Sequence, residues 1–158
     1  YDPYYKEFWI HNGVDTAFEK YLLQSFECVK SQNDFDVLGH LNYVCKSEHS
    51  PTRKPLYYTD YRDICDEIMK TLAQNGKGME INTSGVDRVG SFLPSYDYLK
   101  RFKELGGKYV SVGSDAHYAE HLSADIDMAY SAALEAGFDS ITFFQKRTPL
   151  EMKIEMER

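Results

Sequence analysis

A chain of 158 residues, 42% of them hydrophobic, is long enough to bury one core and short for two domains. Its formal net charge of -7 and pI near 5.2 argue against a nucleic-acid or anionic-membrane surface, leaving room for a local basic site around a phosphate and a small-molecule partner. Cys28, Cys45 and Cys65 lack CxxC spacing and cannot all pair within the chain, so reduced thiols in a cytoplasmic protein are expected and a zinc ribbon is not.

No apolar run approaches the roughly 20 residues of a membrane span, and no basic segment precedes an apolar stretch at the start. The opening YDPYYKEFWIHNG lacks Met and reads as mid-domain loop, so the chain is expected to be a piece of something longer. Residues 14–30 carry Phe18, Tyr21, Leu22, Phe26 and Val29 at spacings of three and four, the stripe of an amphipathic helix. FDVLGH follows as a short buried strand, then a long loop over 41–56. A second helix is expected from about Asp60 to Asn75, with Tyr61, Ile64, Cys65, Ile68, Met69 and Leu72 inward and Gly76 as its stop.

GKGMEINTSG reads as a strand that breaks at Gly85, followed by a loop to Pro94. Ser95 can cap a helix carrying Leu99, Phe102 and Leu105, closed by Gly106 and Gly107. KYVSVGSDAH is the next strand; Ser123 can cap a last helix running to Gly137, and DSITFF is a fourth strand. Strands alternating with helices over the whole length predict an α/β fold of parallel βαβ units, whose functional groups gather at the C-terminal ends of the strands.

Three strand ends read GH, NTSG and GSDAH. On a strand, residues two apart project to the same side, so Asp115 and His117 can converge on one centre if the extended geometry persists past Gly113. Carboxylate and imidazole suit Zn, Fe or Mn. The competing reading makes Asp115 a turn or capping residue and His117 a solvated one. His40 adds an imidazole at a second tip, where a loop or core role is the alternative. Glu80 and Asn82 give GMEINT one polar face where a buried parallel strand should be apolar on both, so the strand is either a wet edge or lines a polar-filled barrel.

Thr83, Ser84 and Gly85 offer hydroxyls and N–H groups to a phosphate, Arg88 a forked guanidinium and Lys46 a point charge; the alternative for each is an ordinary turn or surface residue. His11, His49 and His121 are expected to be solvated. Cys45 is expected to face the core rather than act as a nucleophile. GxGxxG and P-loop patterns are absent.

The run DFDVLGHLNYVCK, then GKGMEINTSG, then LPSYDYLKRFKELGGKYVSVGSDAH, then EAGFDSITFFQKRTP, resembles the C-terminal part of the polymerase and histidinol phosphatase (PHP) superfamily, nearest the monofunctional histidinol-phosphatases. The resemblance implies a partial, distorted seven-stranded β/α barrel, here the C-terminal strands and helices of a single PHP domain over residues 1–158, with the N-terminal HxH part absent. It implies a cluster of up to three divalent metal ions (Zn, Mn or Fe) at the strand ends, with His40, Asp115 and His117 among the ligands and the others upstream of this chain.

The implied reaction is metal-assisted hydrolysis of a phosphomonoester, histidinol phosphate to histidinol and phosphate, a late step in histidine synthesis. The implied phosphate contacts are Lys46, where the family has an arginine, with Ser84 and Arg88; Asn42 stands where the family has an aspartate. A different small phosphomonoester is the alternative substrate, and the isolated chain is expected to be inactive. Its open edges and apolar flanks are expected to associate with a second copy or with the missing part.

Overall fold

A computed structural model describes residues 2–155. The opening segment is helical rather than loop: α1 (Lys6–Asn12) buries Phe8 and Trp9, and the Trp9 indole N–H donates to Pro3 O at 3.0 Å. Phe8, Trp9 and Phe18 meet edge to face at 5.4 and 6.2 Å. The Tyr and Pro residues that suggest a loop are confined to the lead-in, and the chain turns at Gly13, φ +67°, into α2 (Val14–Ser31). Its inward face is the expected stripe: Phe18, Leu22 and Val29 are buried, Tyr21 and Phe26 partly so.

β1 (Val37–Leu38), β2 (Gly78–Asn82) and β3 (Val110–Gly113) form a parallel sheet in the order β1-β2-β3, with Leu38 beside Met79 and Asn82 beside Gly113. α3 (Arg62–Gln74) and α5 (Tyr96–Glu104) cover it, burying Ile68, Met69, Leu72, Tyr98, Leu99 and Phe102. Each of those large side chains contributes roughly 1.5–3 kcal/mol by leaving water. α5 closes at Gly106, φ +91°, and Gly107 follows because any Cβ there would stand 2.5 Å from the Phe102 ring. β2 is the central strand, so the polarity of Glu80 and Asn82 is not that of a wet edge.

Four local expectations give way. β2 ends at Asn82, and Thr83–Gly85 is a 3-10 turn leading into a short helix, α4 (Val86–Val89), where a loop was expected. Ser95 occupies the N-cap of α5 but its buried hydroxyl makes no capping bond. α6 (Ile126–Glu135) starts from Asp125 in the left-handed region, φ +57°, and Ser123, φ +63°, stands outside it.

β4 (Ser140–Gln145) is not a further parallel strand: it pairs antiparallel with β5 (Thr148–Lys153), which the sequence reading missed. The hairpin turns on Lys146 and Arg147, both at positive φ (52° and 67°), without the Gly or Asn that normally signals such a turn. Arg147 compensates by bridging Asp34 and Asp36 at the approach to β1. Cys28, Cys45 and Cys65 are free thiols. Among the described residues no helix is long and apolar enough to cross a membrane.

Candidate active site at the strand tips

Past Leu38 the chain runs through Gly39 into His40, which takes φ +26°, a conformation that strains a side-chain-bearing residue. The His40 N–H donates to Glu80 Oε2 at 2.8 Å, and its ring lies 5.1 Å from that of Tyr43. His40 Nδ1 is buried without a hydrogen-bond partner among the described residues. A buried imidazole nitrogen left unpaired is costly unless something binds it.

A 3-10 turn, Tyr43–Lys46, then carries Lys46 across to the neighbouring tips. Lys46 Nζ donates to Ser84 Oγ at 2.6 Å and to Asp115 Oδ2 at 3.0 Å, with only 14% of its side chain exposed. Ser84 is set by the turn after β2: its N–H donates to Asn82 Oδ1 at 3.1 Å and its hydroxyl donates to the same oxygen. Asn42 stays out of this cluster; it is fully buried and donates to Leu56 O at 3.5 Å.

The geometry expected for Asp115 and His117 does not persist. β3 ends at Gly113 and Asp115 sits at φ +50°, so the two side chains do not alternate along a strand. The turn still brings them together, with His117 Nε2 3.7 Å from Asp115 Oδ1 and 79% of the His117 side chain exposed. Burial raises the Asp115 carboxyl, but the bond and charge of Lys46, with His40 and His117 nearby, outweigh it and hold the group below the usual carboxylate range. Burial pushes the Tyr43 phenol up, reinforced by the Asp115 charge.

Arg88 reaches the same place from α4, its guanidinium 3.5 Å from Glu48 Oε1 and donating to Lys46 O at 3.4 Å. Lys46, Ser84, Arg88, Asp115 and His117 thus line one cavity of about 680 Å3. His49 and His121, expected to be merely solvated, line it too. No spacing signal placed them there, since His49 arrives on a turn and His121 at the end of a short 3-10 turn, Ala119–His121. Glu80 is the residue that sequence reasoning marked without assigning, through the polar face of its strand.

His40 does not line this cavity, and among the described residues no three His, Cys, Asp or Glu side chains gather closely enough to hold an ion. Donor chemistry suited to a metal is therefore present as the Asp115–His117 pair with His40 separate from it. Cys45 faces the core: burial raises its thiol and its Sγ donates to Asn42 O, which removes it as a nucleophile.

A second cavity of about 860 Å3 lies against α1 and α2, with Phe8, Leu23 and Leu38 on its wall; His11 falls there, away from the strand tips. Lys20, Asp2 and Glu27 also line it, but none of them comes from a tip of the parallel sheet.

These features define a mixed α/β protein with a cluster of cationic, carboxylate and imidazole side chains at the C-terminal ends of a parallel sheet. No family model matches the chain. A histidinol-phosphatase of Lactococcus lactis is 32% identical over 139 residues, 87% of this chain and 51% of that protein. A probable histidinol-phosphatase of Clostridium acetobutylicum is 28% identical over 149 residues, 92% of this chain and 56% of that one. The crystal structure of histidinol phosphate phosphatase from Lactococcus lactis, complexed with zinc, L-histidinol and phosphate, matches with a TM-score of 0.79 at 28% identity, covering 90% of this chain and 54% of that one. The chain is thus similar in sequence and fold to proteins named histidinol-phosphatase, and it spans about half the length of the curated relatives it matches.

Proposed function

We propose that this chain carries the strand-tip half of a metal-dependent phosphomonoesterase that hydrolyses histidinol phosphate to histidinol and phosphate. The observation that carries this reading is the convergence of Lys46, Ser84, Arg88 and Asp115 on one cavity, in a fold shared with a protein that holds zinc, L-histidinol and phosphate. In this reading residues 1–158 correspond to the C-terminal part of one PHP domain, and the β1-β2-β3 sheet to part of its barrel. β1 is at the outer edge of that sheet, which supports the addition of further strands beside it.

The roles follow from the side chains. Lys46 is a compact ammonium sheltered from water, and Arg88 is a fork at the rim; together they can hold two faces of a phosphate dianion, with the Ser84 hydroxyl between them. Asp115, His117 and His40 are the donors for divalent ions. They fit in kind, since carboxylate and imidazole suit Zn, Mn or Fe and His40 Nδ1 has no other partner, and they fall short in number. Bound divalent ions supply charge neutralisation on the phosphoryl oxygens and lower the pKa of water toward ~7. Lys46 balances the Asp115 charge at 3.0 Å, and in this reading Lys46 would hold a phosphate and Asp115 a cation.

Phosphate release from histidinol phosphate and a panel of other small phosphomonoesters, with Zn and Mn, tests this on the protein at its full natural length. Histidinol phosphate is expected to turn over fastest, and the 158-residue chain alone is expected to show little turnover. Equal rates across the panel would overturn the substrate. Robust metal-dependent turnover by the 158-residue chain would overturn the division of the site.

A further inference from the structure

Glu80 stands where the three strand tips meet. The register pairs Glu80 itself with Ser111 and Gly113 with Asn82, and the Glu80 carboxylate reaches along the sheet to lie against Gly113 of β3 and Gly39 just past β1. A Cβ on residue 113 would lie 2.5 Å from Glu80 Oε1, far inside van der Waals contact, and one on residue 39 would lie 3.4 Å from Oε2. Glycine therefore stands just past the end of β1 and at the last residue of β3, where the carboxylate needs room.

The bonds that leave Glu80 run toward both donor-bearing tips. Oε2 accepts the His40 backbone N–H at 2.8 Å and Asn82 Nδ2 at 3.0 Å. Asn82 Oδ1, at the other end of that amide, accepts from the Ser84 N–H and hydroxyl. Ser84 Oγ in turn accepts from Lys46, which is bonded to Asp115. On the β1 side the bond is direct and falls on a residue whose positive φ must be held by its surroundings, because His40 has a Cβ and no intrinsic preference for that conformation.

We propose that Glu80 is the positioning residue of this site: seated between Gly39 and Gly113, it holds the His40 backbone in its strained conformation and, through Asn82, sets Ser84 against Lys46 and Asp115. Glu80 acts through these groups and is not among the residues that line the cavity. The proposal deepens the phosphatase reading and rests on it only in taking His40 and Asp115 as the donor-bearing tips.

The test is amide hydrogen exchange, read by NMR on the 158-residue chain without metal or substrate, together with the ring signals of His40. In Glu80→Ala the His40 and Ser84 amides are expected to exchange faster by about 10-fold or more relative to the core amide of Met69, the first because its carboxylate acceptor is gone and the second because its acceptor, the Asn82 amide, loses the bond that holds it. The His40 ring signals are expected to shift and those of His121 to stay. Glu80→Gln keeps an oxygen where Oε2 stands and is expected to return both amides to within about threefold of the parent.

Gly113→Ala carries the test should Glu80→Ala fail to fold: residue 113 reaches His40 only by displacing the Glu80 carboxylate, so the His40 amide is expected to speed up there as well. An unchanged His40 amide in Gly113→Ala, or a Gln variant that matches the Ala variant, would overturn the proposal. Exchange requires neither metal nor turnover, so it can fail while histidinol phosphate hydrolysis stands, and the substrate panel can fail while Glu80 keeps its role.

Discussion

Asp66 and Asp115 are both carboxylates drawn out of water and paired with a cation, and both sit below the usual carboxylate range. Asp66, on α3, is saturated: the Arg101 fork donates to both of its oxygens at 3.0 and 2.6 Å, and Tyr58 adds a third bond at 2.8 Å. The hydrogen bonds of Arg101 are the main cause of its lowered pKa, burial working against them and Tyr58 assisting. Asp115 Oδ2 is held by one ammonium that it shares with Ser84 and by a long contact from the Ser84 hydroxyl at 3.4 Å, and its second oxygen has only an exposed imidazole nearby, at 3.7 Å. A closed set of bonds marks a strut between α3 and α5; an open oxygen, a divisible cation and the unpaired Nδ1 of His40 mark a place for ligands.

The largest expected effect is on the strut. Asp66→Ala leaves the buried Tyr58 hydroxyl without its acceptor and Arg101 with Glu104 alone, and is expected to lower stability by about 2 kcal/mol in urea unfolding, with phosphate binding at the strand tips unchanged. A loss no larger than that of an ordinary surface substitution would dissolve the contrast between the two carboxylates.

Acid sharpens it further. Because the folded pKa of Asp66 lies below its unfolded value of about 3.9, its contribution is complete above that pH and is lost as pH falls through the folded value. Asp66→Asn is therefore expected to be less stable than the parent at neutral pH and to lose less on acidification. Parallel acid limbs for the two proteins in a pH series of denaturation curves would refute this.

On the open side, Lys46→Met is expected to weaken binding of inorganic phosphate by about 10-fold, and Lys46→Arg to retain most of it, while unfolding free energy changes by less than about 1 kcal/mol in either. Phosphate titration beside urea unfolding separates these; a stability loss as large as that of Asp66→Ala would make Lys46 a strut as well. The smallest effect is expected at Ser95. Its hydroxyl is buried without a partner among the described residues, so Ser95→Ala is expected to shift stability by no more than about 0.5 kcal/mol or to raise it, against the ~1 kcal/mol loss normal for an N-cap serine. A full-sized loss in thermal unfolding would show that the cap bond forms.

The helices were legible because burial imposes a period. The stripe Phe18, Leu22, Val29 and the run Cys65, Ile68, Met69, Leu72 each mark one face of α2 and α3, whatever lies opposite. The parallel strands were legible as short apolar runs between glycines, and so were the polar groups at their tips. Partners were not legible. DSITFF reads the same whether it joins a parallel sheet or folds back on β5, and the Lys146–Arg147 turn uses residues that carry no turn signal. The α1 segment was misread because Phe8 and Trp9 become a helical face only once α2 packs against them.

The sequence by itself determined which chemistry could be present: imidazoles at positions 40 and 117, carboxylates at 80 and 115, cations at 46 and 88, and glycines beside them. These are fixed by covalent identity and by the α/β alternation that sends strand ends to one side of the sheet. Tertiary structure alone decided how they meet. Asp115 and His117 approach through a turn rather than along a strand, Lys46 crosses from one tip to reach Ser84 and Asp115, and Glu80 finds its room between two neighbouring glycines. The reason is physical: distances between groups tens of residues apart depend on strand register and loop closure, and neither leaves a periodic mark on the chain.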